Sequence, residues 1–290
     1  TTSPDRLTMR EKLAYGCGDF ASVLYWQTFM RYLPFFYTDV FGISASALAT
    51  MLLVSRIWDG VNDPIIGMAA DRTESRWGKF RPFILFGCVP FAIAGVLTFT
   101  TPGFGPTGKL IWAYLTYNAL MMLYTTINIP YTAMLGVMTN TSVERTQLSS
   151  MKFIFAFSAG MVVSATLLPL VRVLGGGNDQ RGWQLAFVLY GVVACVFFLI
   201  TTFGTRERIK PAPDENTSVL RDLRFLLTNH AWLLLTATTL TWILFVAVRS
   251  SVSTHYFKYF IYDGRPDQPL TFLSQSFTLE GLVSTYNTLG

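Results

Sequence analysis

Apolar residues run along this chain in long blocks, at 13–37, 45–70, 82–101, 110–138, 153–174, 183–204 and 230–257. An eighth opens at about 280 and reaches Gly290, the last residue. Each of the first seven is long enough for a bilayer core, which takes about 20 helical residues. Lipid offers the backbone no hydrogen-bonding partner, so each block is expected as a membrane helix. The longest polar stretch, "TRERIKPAPDENTSVLRDLRF", follows the sixth block. It reads as a linker over 206–228, between a six-helix bundle at 1–205 and the start of a second bundle at 229–290. "GGGN", Gly175 to Asn178, reads as an outer turn, and "DGRPDQPLTFLSQSFTLEG" as an outer loop. Thr1 to Lys12 is short, polar and charged, unlike a cleavable signal.

Composition agrees with the pattern. Of 290 residues, 51% are hydrophobic and 13% charged, whereas a soluble domain carries about 25% charged residues. Fourteen of the 22 basic residues fall on the side that holds the N-terminus, which predicts that side to be cytoplasmic. The net charge of +5 is then a signal of topology and not a nucleic-acid patch. Cys17, Cys88 and Cys195 sit in apolar context at no metal spacing, and His230 and His255 are isolated. No nucleophile elbow, phosphate loop or zinc motif is visible, so neither an enzyme nor a cofactor beyond a coupling ion is expected.

The second block carries "RIWDGVNDPIIG", Arg56 to Gly67. On a helix, positions three and four apart share a face, so Arg56, Asp59, Asn62 and Asp63 form one polar stripe. Two ionised carboxylates one turn apart repel in a low dielectric. One can be protonated, Arg56 can neutralise one, or a small cation can sit between them. Carboxylate and amide oxygens suit a hard cation such as sodium, and ionisable groups inside spans mark ion paths. The plainer alternative is a structural Arg56–Asp59 pair with Asp63 facing water. Pro64 removes a backbone donor and favours a kink there.

The fourth block repeats the theme in "LYTTINIPYTAML", where Tyr124, Thr125 and Asn128 share a face and Pro130 follows. Such recurrence suggests an internal three-helix repeat, as in many transporters. In the first block Asp19, Ser22, Trp26 and Met30 fall on one side. An acid, a hydroxyl and an indole suit a sugar, whose hydroxyls bond the acid while its ring stacks on the indole. Tyr32, Phe35, Phe36 and Tyr37 are expected in an outer aromatic belt. Arg249, in the seventh block, can meet an anionic sugar or pair with a carboxylate.

Three ordered stretches carry a resemblance: "GDFAS…FFYTDVFGIS", "RIWDGVNDPIIGMAADRTESRWGKFRPFILFG" and "YTTINIPYTAML…ERTQLSSMKF". They resemble the glycoside–pentoside–hexuronide:cation symporters of the major facilitator superfamily, collinearly from about Leu13 to Arg208. The resemblance implies an all-α membrane fold of twelve helices, of which this sequence holds the N-terminal six and the start of the second six. It assigns Asp59, Asn62, Asp63 and Thr125 to a cation site, with Asp59 and Asp63 holding Na+ if sodium is the coupling ion. It places Tyr124 in the sugar site and Lys152 within a residue of the family's helix-five arginine. Asn128 stands where the melibiose permease of that family has a sugar-binding aspartate, and the permease's helix-one lysine–aspartate pair is absent. Asp19, one turn earlier, takes its place. Gly67, Asp71, Arg72, Gly78 and Lys79 match a latch in the cytoplasmic loop between helices two and three.

The expectation is a monomeric secondary transporter in the bacterial inner membrane, driven by Na+ or H+, with a glycoside or related sugar bound near the midplane by Asp19, Trp26, Tyr124, Asn128, Lys152 and Arg249. The neutral donors Asn62 and Thr125 favour sodium, because a proton site needs only one carboxyl. A lysolipid:cation symporter and a nontransporting sugar sensor are the alternatives. The first would want a wide apolar groove, and the second a long signalling domain.

Overall fold

The computed structural model describes residues 6–209, 228–256, 270–272 and 275–277, with the backbone alone at 243, at 246–256 and in the two short strands. The chain forms two compact units, Thr1–Pro211 and Ala212–Gly290. In the first unit six helices follow one another: α1 Met9–Phe35, α2 Ala45–Arg72, α3 Arg81–Thr98, α4 Pro106–Met138, α5 Ser142–Gly175 and α6 Asp179–Gly204. In the second unit helix α7, His230–Tyr256, is followed by strands β1 Leu270–Phe272 and β2 Gln275–Phe277. These strands pair antiparallel, Leu270 opposite Phe277, inside the expected outer loop. The eighth apolar block and most of the linker lie outside the described residues.

Local chemistry explains the boundaries. Thr8 and Glu11 form a reciprocal capping box at the start of α1. Ser44 caps α2 through the Ala47 amide at 3.2 Å, and Asn178 caps α6 through the Arg181 amide at 3.1 Å. Gly176 and Gly177 hold φ of 55° and 91°, left-handed values that glycine adopts cheaply, and so form the expected turn. By length and composition α3, α4, α5 and α6 can each cross a membrane. Helices α1 and α2 have comparable length, 27 and 28 residues, and carry ionisable groups within it.

Helix α1 packs on α5 and α6, α3 on α4 and α6, and α2 mainly on α4. The core is aromatic. Phe99 and Phe187 stack at 3.6 Å between centroids, and Phe99 also stacks on Trp183 at 5.6 Å. Here the expected outer belt is corrected in part. Phe36 and Tyr37 are fully buried, with Phe36 4.8 Å from Phe99 and 5.4 Å from Trp183. After α1 the chain continues as a π-helical segment, Phe36–Phe41. Phe36 and Tyr37 lie three and four residues after buried Leu33, so they continue the face of α1 that already buries Phe29 and Leu33 and enter the core with it.

Two boundaries also move. Helix α5 begins at Ser142, eleven residues before the apolar block, and its polar first turns reach Lys12 through Glu144 and Gln147. The segment after α6 stays on the bundle as far as Ile209, because the Arg208 and Ile209 amides both donate to the Val137 carbonyl at 2.9 Å.

Candidate functional site

Helix α2 runs unbroken through Pro64, and α4 through Pro130. Each proline lacks an amide, leaving the carbonyls of Gly60 and Thr126 without their helical donors. Gly60 lies within the span of the α2 polar stripe, next to Asp59 in the chain. Arg56 pairs with Asp59 at 3.5 Å. Asn62 is buried. The Thr125 hydroxyl donates to Asp63 Oδ1 at 3.0 Å, joining α4 to the stripe. Asp59 Oδ1 and Asn62 Nδ2 are buried with no partner. Native proteins rarely leave such atoms unpaired: the carboxylate oxygen calls for a cation or a donor, and the amide nitrogen for an acceptor such as water. The set is two carboxylates, one amide and one hydroxyl, with one charge offset by Arg56. Among the described residues no group of three or more His, Cys, Asp or Glu side chains gathers. That charge count suits a monovalent ion.

A second group adjoins the first. Trp26 on α1 stacks on Tyr124 of α4, with centroids 5.5 Å apart and planes at 23°. The Arg56 guanidinium lies 5.5 Å over the same indole. Arg56 therefore touches the acidic stripe and the aromatic pair together. Deeper in α1, buried Asp19 faces Lys152 of α5 at 3.7 Å. Lys152 also lies 5.6 Å over the ring of Tyr131, whose hydroxyl donates to the Tyr15 carbonyl at 2.7 Å. Asn128 Nδ2 is buried and unpartnered, as is the Ser22 hydroxyl.

Helices α1, α2, α4 and α5 thus bring together Asp19, Trp26, Asp59, Asn62, Asp63, Tyr124, Thr125 and Lys152 in two linked groups. Tyr124 and Thr125, read as sharing a face, diverge: the ring meets α1 and the hydroxyl meets α2. Arg249 falls on α7, and its side chain lies outside the described residues. The loop residues form a separate group. Lys79 pairs with Asp71 at 3.2 Å, Gly78 holds φ of 114°, and Arg72 is exposed. A Cβ at Gly67 would reach only ordinary contact, 4.0 Å from Ile129. The three thiols are free, and Cys195 donates to the Cys88 carbonyl at 3.2 Å.

Ser55 escaped the sequence reading. Its hydroxyl is buried and unpartnered, and its place four residues before Asp59 on the same stripe was the available signal. The second partner of Arg56 left no such trace, because Trp26 lies on another helix.

The sequence profile described as "MFS/sugar transport protein" matches residues 14–285. The chain is 42% identical over 268 residues to the inner membrane symporter YicJ of Escherichia coli (strain K12), covering 92% of this chain and 58% of that protein. It is 40% identical over 280 residues to the putative glycoside/cation symporter YagG of the same organism, covering 97% and 59%. Over 256 residues it is 36% identical to the isoprimeverose transporter of Lactiplantibacillus pentosus, covering 87% and 53%. The chain spans just over half the length of these curated relatives.

Proposed function

The chain belongs to the MFS/sugar transport protein family of multi-pass membrane proteins, and from that premise we propose that the full-length protein is a cation-coupled symporter of a glycoside or related sugar. The observation that carries this reading is the Thr125–Asp63 bond, which closes the α2 stripe against α4 while Asp59 Oδ1 on that stripe is buried and unpartnered. In this reading the coupling cation binds among Asp59, Asn62, Asp63 and Thr125. The sugar stacks on Trp26 and Tyr124, and its hydroxyls meet Asp19, Asn128 and Lys152, with Arg249 as a further contact. Two relatives whose names specify a glycoside and isoprimeverose support a sugar substrate. The basic end of the bundle faces the cytoplasm across a bacterial inner membrane, the loop between α2 and α3 is the latch, and the protein acts as a monomer.

Arg56 supplies a physical route for coupling. A cation bound beside Asp59 competes with Arg56 for that carboxylate, and Arg56 also rests on the indole that the sugar stacks on. If both ligands favour one conformation, each raises the affinity of the other by the same factor. Asn62 and Thr125 add neutral oxygens, which favours sodium over a proton.

The test is sugar affinity of purified full-length protein at neutral pH, with and without sodium at constant ionic strength. Tighter binding with sodium is expected, with the gain lost in Thr125→Val. Uptake driven by a pH gradient alone, with no sodium effect, would make the coupling ion a proton.

A further inference from the structure

Helix α3 starts at Arg81 after Phe80, which has no side-chain oxygen and makes no side-chain cap. The first amides of a helix need acceptors from elsewhere. Here one carboxylate far along the chain supplies them. Glu207, just beyond α6, accepts the Lys79 amide at 2.6 Å on Oε2, and the Phe80 and Arg81 amides at 2.9 Å and 3.0 Å on Oε1. The positive end of the helix dipole favours a carboxylate in that place.

The surrounding contacts make this cap specific. A Cβ added at Gly78 would lie 2.6 Å from Glu207 Oε1 and displace the carboxylate, and φ of 114° would strain any side chain there. Arg81 returns the contact, donating from Nε to the Thr202 carbonyl at 2.7 Å. The chain on either side of Glu207 is itself tied down. Thr205 donates to the Thr201 carbonyl at 2.6 Å, and the Arg208 side chain donates to Glu11 Oε1 at 2.8 Å. The Lys79 amide is therefore fixed to a firm point, and its ammonium reaches Asp71 at 3.2 Å.

We propose that Glu207 is the positioning residue of the loop between α2 and α3: its carboxylate holds the loop in the shape that brings Lys79 to Asp71, and makes the loop move with the end of α6. The proposal rests on the latch reading above for its effect on transport, and on geometry alone for its effect on the loop. A bare helix cap would add stability without governing the Lys79–Asp71 contact, and the two roles separate in experiment.

A carbodiimide joins a carboxylate to an amine only where the two already touch, so the yield of the Asp71–Lys79 cross-link, read by mass spectrometry on full-length protein, reports the contact. Glu207→Gln keeps the size of the side chain but loses an acceptor oxygen and the charge. It is expected to lower the yield about fivefold or more. The maximal rate of sugar counterflow should fall with it, while sugar affinity stays unchanged. Glu207→Gln and Asp71→Asn should not compound, because they act on one contact. Glu207→Asp, one methylene shorter, should also reduce the yield. An unchanged cross-link, or rate losses that multiply in the double variant, would overturn the proposal. A parent protein without counterflow would defeat the transport reading instead, and the cross-link yields would still decide the role of Glu207.

Discussion

Two polar groups in the same bundle are built on opposite principles. At the basic end, contacts are short and doubled. Arg208 reaches both oxygens of Glu11, at 2.8 Å and 3.0 Å, Lys12 meets Glu144 at 2.7 Å, and Glu207 accepts three amides within 3.0 Å. Among the described residues the one buried atom there without a well-aligned hydrogen bond, Glu144 Oε2, still faces the Lys12 ammonium. In the open group on α1, α2, α4 and α5 the ion pairs are long, 3.5 Å for Arg56–Asp59 and 3.7 Å for Asp19–Lys152. Ser22, Ser55, Asp59, Asn62 and Asn128 each keep a buried polar atom unpartnered. A group that only holds helices together gains by satisfying every atom, since each one left unpaired costs about 1–3 kcal/mol. A group that must take and release a ligand keeps atoms open for it. Tyr25, Tyr37 and Thr101 also keep a buried oxygen unpartnered, but among the described residues only in the open group do such atoms gather beside carboxylates, and that clustering supports the proposed binding site.

The most severe way to break the open group is Asp63→Asn. The amide is nearly isosteric and still accepts from Thr125, so the change removes charge and little else. Cation-driven sugar accumulation should be abolished in the full-length protein while sugar binding is partly kept. Equal accumulation by variant and parent would remove Asp63 from the cation site.

Breaking the closed group should cost stability and leave ligands alone. Glu11→Ala deletes the capping box and both contacts to Arg208, for a loss of about 2 kcal/mol, read as a lower melting temperature in detergent. The same residue gives the closed group a pH signature. Burial raises its carboxyl, but bonds from Thr8 and the Arg208 charge outweigh that and hold it below its ordinary value of 4.5. A depressed folded-state value stabilises above the unfolded value, and that stability is lost as pH falls through the folded one. Melting temperature should therefore drop on acidification below pH 4.5, and the drop should be shallower in Glu11→Gln. An equally steep acid limb in the variant would assign it to other carboxylates.

The smallest expected effect sharpens the comparison within the open group. Trp26→Ala should weaken sugar binding by about 1 kcal/mol, or roughly fivefold, through loss of a stacking face. Melting temperature should barely change, since Trp26 is only partly buried. Unchanged binding with a lower melting temperature would make the indole packing for Tyr124.

Much of this architecture is legible in the amino-acid sequence. Blocks of apolar residues mark helices because lipid leaves the backbone no other partner, and seven of the eight blocks fall on α1 to α7. The spacing of Arg56, Asp59, Asn62 and Asp63 places them on one stripe by helical geometry alone, and the family resemblance named Thr125 as their partner. Periodicity states which residues of one helix share a face. It is silent on which helix that face meets. Only the folded bundle turned Tyr124 to Trp26 and Thr125 to Asp63, laid Arg56 across both groups, and set Phe36 against Phe99 and Trp183. Only the fold brought Glu207 to the amides of Lys79, Phe80 and Arg81, more than 120 residues earlier in the chain. A helix start must find acceptors, and where the local side chains offer none, tertiary packing decides which distant residue supplies them.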